Sequence, residues 1–449
     1  MIEHVESQNV LPEGCFDNYR PYVDYLEQLV STSSQSEGDC SESITPIEQA
    51  LNGEASAKLR EIAPVESLRK DGVFFTGSEL SHSALSNALK SCDEHTVCMD
   101  PACGAGDLLI ACASKLPMAD SLEDTLRQWG RQLVGRDIHP EFVDAARARV
   151  ALTAIQRGAW SAMSAPLSLE ALLSNIQVGD GLEVCATGVT HVVMNPPFTM
   201  MPAPEGCEWK SGKVNSAAVF VEDAVVKAEA ETRITAILPE VLCSGSSYEK
   251  WRERISSSLN IHSIVRRGRF DGFADVDVFI LDATVLDDGL GEMRSEWWRP
   301  VRTSQPETTV GELFKVRVGS VVPHRDEEVG NRYPYIHARN VPPWSEVSEV
   351  DESRLYSGSV FNAPFIAVRR TSSPSDTFRV TASIVLGDYE MAVENHLIIL
   401  KPINDDLELC KQAVEMFQTP AVNDWMNERI GCRHLTVSAV KEIPWMFEV

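Results

Sequence analysis

Short apolar runs alternate with longer amphipathic segments from about residue 61 to residue 290 of this 449-residue chain. That alternation is typical of strands and helices that take turns in a parallel α/β sheet. The apolar runs predict strands at Thr96–Asp100, Gln132–Ile138, Asn175–Val178, His191–Met194, Arg233–Leu238 and Val276–Leu286. The segments between them predict helices over residues 106–115, 140–156, 216–230 and 247–258. The expected fold class is therefore α/β, with a Rossmann-like, doubly wound sheet.

The pattern changes at both ends of the chain and divides the sequence into three predicted domains. Residues 1–60 form an N-terminal appendage, with a short amphipathic helix over Tyr19–Val30 and a flexible Ser-rich linker over residues 31–41. Residues 61–295 carry the alternating pattern. Residues 296–449 contain short strands and turns with proline-rich stops, which is typical of a mostly β domain with a few helices.

Composition narrows the class of protein. The formal net charge of −26 excludes a chain that is basic throughout, as general nucleic-acid binders are. One local basic face can still bind DNA, because phosphate attraction is short-ranged in physiological salt, and a saline cytoplasm or a basic partner would equally account for the acidity. No apolar run reaches the roughly 20 residues that span a bilayer, and the N-terminus lacks the features of a signal peptide. For the same reason we expect no membrane partner. The eleven cysteines form no CxxC pair, so we expect reduced thiols in the cytoplasm and no metal site.

A rigid polar turn follows the apolar run that ends at Met194. Its residues are Asn195, Pro196, Pro197 and Phe198. The asparagine amide oxygen and the next backbone carbonyl are both acceptors, and Pro197 has no N–H to compete for them. Two acceptors can hold both hydrogens of one –NH₂ group, while Phe198 offers a face to a flat ring. The turn therefore predicts methylation of an amino group conjugated to a ring or a carbonyl; a strand that merely ends in a proline-rich turn is the alternative.

A strand, a glycine turn and a helix start follow one another at residues 97–109. Ligands of doubly wound sheets bind at the carboxyl ends of such strands. Gly104 and Gly106 allow the backbone to approach a ligand, and Asp100 and Asp107 place carboxylates at the rim. The spacing is not GxGxxG, and carboxylates would repel a pyrophosphate, so a cationic, amine-bearing cofactor such as S-adenosylmethionine fits better. The candidate contacts in the turn also include Pro101 and Cys103. A purely structural βα turn is the alternative.

The next two strand ends carry further acids. Asp137, with Ile138 beside it, is a candidate to accept hydrogen bonds from ribose hydroxyls. A helix N-cap is the alternative role for Asp137. Asp180, followed by Gly181, is a candidate acceptor for the adenine amino group of the cofactor, and a plain Asp-Gly turn is its alternative.

Taken in order, these segments resemble the gamma class of N6-adenine DNA methyltransferases, which includes TaqI-like enzymes. The resemblance covers roughly residues 70–290 and implies the fold of a class I S-adenosylmethionine-dependent methyltransferase. It implies that Phe75 and Thr76 lie near the methionine moiety of the cofactor, although the family usually has proline where Gly77 stands. It also implies that an aromatic ring at Phe270 or Phe273 holds the extruded base; a core aromatic under a hairpin is the alternative.

The C-terminal 150 residues resemble the target-recognition domains of type I specificity subunits and of methyltransferases with a fused recognition domain. The segments that carry this likeness are Tyr333–Val341, Val393–Pro402 and Leu435–Pro444. In this region Arg369 and Arg370 are the candidates for contact with phosphate or base, and an exposed loop is the alternative.

The expected activity is methyl transfer from S-adenosylmethionine to adenine N6 at specific sites in double-stranded DNA, with the adenine flipped out of the helix. The resemblance implies a restriction-modification or anti-phage defence system, with a restriction, specificity or other defence-system subunit as partner. Methylation of a glutamine amide in a protein remains open, because release-factor methyltransferases use the same turn. Methylation of an RNA base and a partner-dependent recognition or scaffold subunit also remain open.

Overall fold

A computed structural model of the chain describes residues 16–34, 44–161, 167–270, 273, 276–287, 308–372, 376–430 and 434–447. The chain divides into two compact units, Met1–Glu296 and Trp297–Val449. Within the described residues, no helix combines the length and the apolar character needed to cross a membrane.

The first unit begins with a group of short helices and continues as alternating strands and helices. In chain order its elements are α1 (Arg20–Ser33), α2 (Ile44–Leu51), α3 (Glu54–Ile62), α4 (Val65–Asp71), α5 (Ser78–Leu85), β1 (Cys98–Asp100), α6 (Asp107–Ala113), α7 (Leu122–Gln132), β2 (Leu133–Asp137), α8 (Pro140–Gln156), α9 (Leu169–Leu172), β3 (Ile176–Val178), β4 (His191–Met194), β5 (Met200–Pro202), β6 (Lys213–Asn215), α10 (Ser216–Lys227), β7 (Arg233–Pro239), α11 (Glu240–Ser244), α12 (Glu249–Ser256), β8 (Leu259–Arg269) and β9 (Asp277–Val285).

Seven of the described strands form the central sheet, in the order β3-β2-β1-β4-β7-β9-β8. The first five are parallel, whereas β9 runs antiparallel to both β7 and β8. The strand order reverses between β1 and β4, and ligands bind at such a switch point beyond the carboxyl ends of the strands. Asp100 ends β1 and Asn195 follows β4, so the topology places both at this edge. The predicted Rossmann-like α/β fold is confirmed.

The N-terminal helices share a core with the sheet. Helix α1 buries Val23, Leu26 and Val30 against α8, and α2 packs on the same helix. The long α8 is buried along most of its length, because small alanine side chains let its neighbours approach closely. The linker predicted over residues 31–41 begins too early, since residues 31–33 complete α1 and Ser33 is buried; residues 35–41 lie outside the described part of the chain.

Strand β8 is the longest described strand that the sequence pattern does not predict. It runs along the edge of the sheet, paired only with β9 within the described residues. Most of its residues are exposed or half-buried, including Arg267 and Arg269. An edge strand carries polar and charged side chains that prevent further pairing, so it lacks the apolar run by which buried strands are found.

The second unit is rich in β structure, as its short strands and turns predict. Its elements are α13 (Val310–Leu313), β10 (Phe314–Val318), β11 (Asn331–Ile336), β12 (Glu346–Val347), β13 (Ser353–Tyr356), β14 (Phe361–Asn362), β15 (Phe365–Arg369), β16 (Ala382–Val385), β17 (Glu390–Val393), β18 (Leu397–Pro402), α14 (Leu407–Phe417), α15 (Pro420–Arg429) and α16 (Val437–Lys441). The described strands form a five-stranded sheet, β10-β18-β15-β16-β12, and a four-stranded sheet, β13-β11-β17-β14. Helix α14 packs on the first of these sheets and closes a separate core.

Candidate active site

The glycine turn after β1 is built for close approach. Gly104 and Gly106 have φ angles of +51° and +87°, a region that favours glycine. A Cβ atom on Gly106 would lie 2.9 Å from the Cβ atom of Ala146 in α8, so this glycine also allows the turn to pack on that helix. The Cys103 N–H donates to the Arg136 carbonyl at 2.8 Å, which ties the turn to the end of β2. The turn is therefore held in place by the protein itself.

Two candidate cofactor carboxylates, one buried and one half-buried, lie at adjacent strand ends. The Asp100 side chain is 2% exposed and accepts a hydrogen bond from the Ala102 N–H at 3.1 Å; burial raises its pKa to about 8. Burial raises the pKa of Asp137 to about 6, although the His139 and Gly104 N–H groups donate to its two oxygens at 2.9 and 3.0 Å. A cationic or hydrogen-bond-donating ligand would favour the charged form of both acids.

A third carboxylate, that of Asp107, belongs to a buried ion pair. Arg149 of α8 is 0% exposed, and its Nη2 lies 2.8 Å from Asp107 Oδ1. The same guanidinium donates to the carbonyls of Ala50 at the end of α2 and of Ala105 in the glycine turn, at 2.8 and 2.6 Å. Asp107 Oδ2 accepts from the Gly77 N–H at 2.6 Å. One arginine therefore joins the N-terminal helices to the glycine turn, a role that its local sequence does not reveal.

Exposed apolar side chains mark the far end of the cofactor site. Ile138 is 59% exposed and Val178 is 51% exposed, and the two strands meet where Asp137 pairs with Val178. Apolar surface left open at two neighbouring strand ends suits a flat ring. Sequence reasoning missed Val178. The signal is a valine that ends a strand directly before the Gly-Asp turn.

Asp180 and Gly181 lie beside the glycine turn. The Asp180 carboxylate accepts from the Leu182 N–H at 2.9 Å, so it acts as a cap in addition to any contact with a ligand. A Cβ atom on Gly181 would lie 1.7 Å from the Pro101 carbonyl oxygen. Only glycine fits there, and Pro101 and Gly181 are brought into contact. The carboxylates of Asp100, Asp137 and Asp180, the exposed apolar side chains and the glycines together fit S-adenosylmethionine.

The turn after β4 presents an acceptor that the protein leaves open. Asn195 donates from Nδ2 to Thr76 Oγ1 at 3.0 Å, while its Oδ1 atom is buried without a hydrogen-bond partner in the described part of the chain. No described residue donates to the Pro196 carbonyl either. By contrast, Ser216 donates to the Pro197 carbonyl and Asn215 donates to the Phe198 carbonyl, the latter at 3.2 Å. Helix α10 thus fixes the turn and leaves two acceptors free.

Residues 72–77 cover both halves of the site. A Cβ atom on Gly72 would lie 2.7 Å from Thr199 Cγ2 and 3.1 Å from Pro197 Cβ, and the Phe75 ring touches the position where Gly104 would carry a Cβ, at 3.0 Å. Gly77 has φ +74°, which proline cannot adopt, and its N–H is used by Asp107. The departure from the family's usual proline is therefore matched by a different local backbone.

Only one of the two candidate aromatic rings joins the turn. Phe270 is 9% exposed, and its ring centroid lies 6.1 Å from that of Phe198, edge to face at 83°, and 6.5 Å from that of Phe74. Phe273 is 45% exposed, and the Arg60 guanidinium carbon lies 4.3 Å from its ring centroid. The structure thus brings Phe270 into the aromatic group at the turn and leaves Phe273 outside it.

The two arginine candidates lie in the second unit and are both half-buried. Arg369 donates to the Ala338 and Val341 carbonyls at 3.2 and 3.4 Å, and Arg370 donates to the Asn395 carbonyl at 3.4 Å. Both guanidinium groups therefore hold loops of their own unit together, and any contact with DNA would come in addition to that role.

A mostly parallel seven-stranded sheet, a glycine turn lined by acids and an Asn-Pro-Pro-Phe turn together define an S-adenosylmethionine-dependent methyltransferase. Residues 58–269, somewhat less than half of the chain, match the family model described as N-6 DNA Methylase. The fold, the two turns and this match agree on an S-adenosylmethionine-dependent DNA methyltransferase.

Several solved structures are similar to the chain at low sequence identity. The type IIL restriction-modification enzyme MmeI, solved in complex with DNA, is 13% identical with a TM-score of 0.50; the match covers 92% of this chain and 66% of MmeI. The type IIG restriction endonuclease BpuSI is 13% identical with a TM-score of 0.43, and the match covers 87% of this chain and 60% of BpuSI. A class I methyltransferase of Listeria monocytogenes is 16% identical with a TM-score of 0.36, over 60% of this chain and 89% of its own. No curated protein sequence matches the chain.

Proposed function

We propose that this chain methylates adenine N6 at specific sites in double-stranded DNA, as the modification component of a restriction-modification or related defence system. Residues 61–295 form the catalytic domain in this proposal, and residues 296–449 recognise the target sequence. Its partner is a restriction, specificity or other defence-system subunit. The observation that carries the proposal is the buried, unpartnered Oδ1 atom of Asn195.

An unfilled acceptor identifies the kind of group that the turn is built to receive. A buried polar atom without a partner costs about 1–3 kcal/mol, so such atoms are rare unless a ligand completes them. Asn195 Nδ2 is already held by Thr76, and the amide oxygen and the Pro196 carbonyl both await donors. The adenine amino group carries two N–H donors on one nitrogen. When both acceptors hold the amino group, the nitrogen lone pair is no longer conjugated with the ring and points away from the turn.

Aromatic side chains provide the surface for the base. Phe198 follows the two acceptors directly, and the edge of Phe270 fixes its ring. Stacking on such a face suits a purine that has left the duplex, because adenine inside the helix cannot reach a buried turn. The Phe198 ring and the Asn195 amide thus read the same base, one through its face and the other through its edge.

The side chains at the turn position the amino group and do not remove its proton. An amide is not a base at neutral pH, so Asn195 acts by orientation and by stabilising the positive charge that grows on nitrogen. S-Adenosylmethionine, when bound, supplies the electrophilic methyl group. Asp100, Asp137 and the Gly104 turn would hold it, with Ile138 and Val178 against its adenine ring. Alignment of the two reactants provides most of the acceleration.

The Asn195→Ala variant tests the proposal. We expect methylation of DNA to fall by about 10²–10³-fold or more, because one preorganised group at the reacting nitrogen is lost. The affinity for S-adenosylmethionine should stay within about twofold, since Asn195 is not among the cofactor contacts. The measurement is transfer of labelled methyl groups to duplex DNA, with cofactor binding followed by calorimetry. Asn52→Ala, at an exposed turn before α3, is the matched control.

The same assay includes RNA and cellular protein as acceptors. Label on RNA or protein instead of DNA would overturn the substrate, and a fully active Asn195→Ala variant would overturn the role of the turn. Single-molecule sequencing of DNA from cells with and without the gene then identifies the methylated site. Methylated adenines that lack a common sequence would contradict a recognition role for the second unit.

A further inference from the structure

Three arginines of the first unit contact segments that flank the candidate site in the sequence. The Arg60 guanidinium of α3 lies against the exposed Phe273 ring, at 4.3 Å from its centroid. Arg69 of α4 donates from Nε to the Phe273 carbonyl at 2.8 Å. Arg267 of β8 donates to Ser83 Oγ on α5. Arg60 and Arg69 therefore meet at Phe273, and Arg267 lies on the strand that leads towards that residue.

These arginines differ from most others in the unit because they lack acidic partners. Among the described side chains, none of the three forms an ion pair with a carboxylate, although the chain carries 66 acidic residues against 40 basic ones. Seven other arginines in the described part of the first unit are paired with an acid: Arg20, Arg127, Arg147, Arg149, Arg233, Arg254 and Arg266. Unpaired guanidinium groups in a strongly acidic protein form a local site for anions.

Two of the three arginines are close in the sequence to residues that contact the turn Asn195–Phe198. Arg69 is three residues before Gly72, whose backbone touches Pro197 and Thr199. Arg267 is three residues before Phe270, whose ring contacts Phe198. If a base of a DNA strand occupied the site, the backbone of that strand would pass close to these segments.

We propose that Arg60, Arg69 and Arg267 bind backbone phosphates of the DNA strand whose adenine enters the pocket, an inference that rests on the proposed function. The planar guanidinium fork binds two phosphate oxygens at once, and such contacts set the position of a strand without reading its sequence. Arg60 and Arg69 also hold the exposed Phe273 ring beside the path of that strand. Arg60 and Arg69 would thus bind the strand with the flipped base from the N-terminal helices, and Arg267 would bind it from β8.

The test compares full-length variants in their affinity for a fluorescent 30-base-pair duplex as salt is raised from 50 to 200 mM. Each phosphate contact contributes about 0.9 to the slope of log K against log salt, so the combined Arg60→Gln, Arg69→Gln and Arg267→Gln variant should lose about 2–3 from the slope. Its affinity at low salt should fall at least about tenfold. Binding of S-adenosylmethionine and the melting temperature check that the site remains folded.

Two companion variants separate phosphate contact from net charge and from packing. Arg127→Gln, Arg131→Gln and Lys115→Gln remove the same charge from exposed positions elsewhere in the first unit and should leave the slope close to that of the wild type. Arg60→Lys, Arg69→Lys and Arg267→Lys keep the charge and should restore the slope, whereas the affinity should stay below that of the wild type because lysine lacks the bidentate fork.

The outcomes separate this inference from the proposed function. A wild type that methylates DNA with a steep salt dependence, together with an unchanged slope in the glutamine variant, would overturn the phosphate site alone. A wild type that neither binds nor methylates duplex DNA would overturn both. A loss of affinity seen with a duplex RNA but absent with DNA would assign the surface to RNA and contradict the inference.

Discussion

The cofactor side and the substrate side of the site lie at one edge of one sheet, yet they differ in how far the protein completes them. On the cofactor side, Asp100, Asp107, Asp137 and Asp180 each accept at least one hydrogen bond from the chain itself. On the substrate side, the Asn195 amide oxygen is buried and accepts none from the described residues. The carboxylates of the first side therefore have hydrogen-bond donors from the protein itself, whereas the amide oxygen of the second side has none from the described residues.

That difference separates two ways of preparing a site. Acids that are already hydrogen-bonded keep the glycine turn rigid, so a cofactor finds its contacts in place. An unfilled acceptor raises the free energy of the empty turn and lowers it when an amino group arrives. Residues 72–77 connect the two halves, since Thr76 contacts Asn195 and Gly77 contacts Asp107.

The largest effect should come from breaking the buried ion pair of the cofactor side. Arg149→Met leaves the Asp107 carboxylate without its cation, and also removes donors to the Ala50 and Ala105 carbonyls. Removing one partner of a buried pair costs about 3–5 kcal/mol, so calorimetry should show a marked fall in the melting temperature of the first unit. Arg127→Met, whose pair with Asp124 is exposed, should change stability by less than about 1 kcal/mol. Equal melting temperatures for the two variants would mean that the cofactor side does not depend on Arg149.

A smaller effect is expected from disturbing the connection between the two halves. Gly77→Pro demands a negative φ where the backbone has +74° and removes the N–H that Asp107 accepts. We expect a loss of about 2–3 kcal/mol in stability, with weaker binding of S-adenosylmethionine by calorimetry. Ser78→Pro places the same residue at the first position of α5, where proline is tolerated, and should bind the cofactor like the wild type. If both variants behaved alike, the conformation of Gly77 would not matter to the site.

The remaining prediction concerns the dependence of stability on pH. Burial raises the pKa of Asp100 from its ordinary value near 4 to about 8, so the folded protein holds a proton that the unfolded chain has already lost. The contribution of Asp100 to stability therefore falls as pH rises from about 4 to about 8, and is constant above. Asp100→Asn keeps the acceptor for Ala102 and removes this slope, so its stability relative to the wild type should rise between pH 5 and pH 8. Chemical denaturation at several pH values measures the difference, and the exposed Asp120→Asn corrects for net charge. A pH-independent difference would contradict the burial argument.

Much of the sheet could be predicted because its strands are buried on both faces. The apolar run His191–Met194 gives β4 with the predicted bounds, and Pro140 begins α8 where a proline is favoured at a first helical position. Strand β8 escaped prediction because an edge strand carries arginines instead of an apolar run. The parts of the site that depend on distant packing were equally hidden. Thr76 and Asn195 are 119 residues apart, and nothing in either local sequence indicates their hydrogen bond.

The aromatic candidates show the same limit. Phe270 and Phe273 are three residues apart in one segment, and both fit a ring beside a base. Only the three-dimensional structure separates them, since Phe270 packs on Phe198 while Phe273 lies under Arg60. Likewise, Arg149 is one of several charged residues in α8, and its burial depends on helices that precede it by about a hundred positions.

The unfilled oxygen of Asn195 also bears on what happens after the reaction. On the proposed function, adenine enters with two amino hydrogens and leaves with one, because the methyl group has replaced the other. The product can then satisfy only one of the two acceptors, and the second is again buried without a donor, at a cost of about 1–3 kcal/mol. The turn thus holds the product more weakly than the substrate. It promotes release after a single transfer and disfavours dimethylation of the same nitrogen.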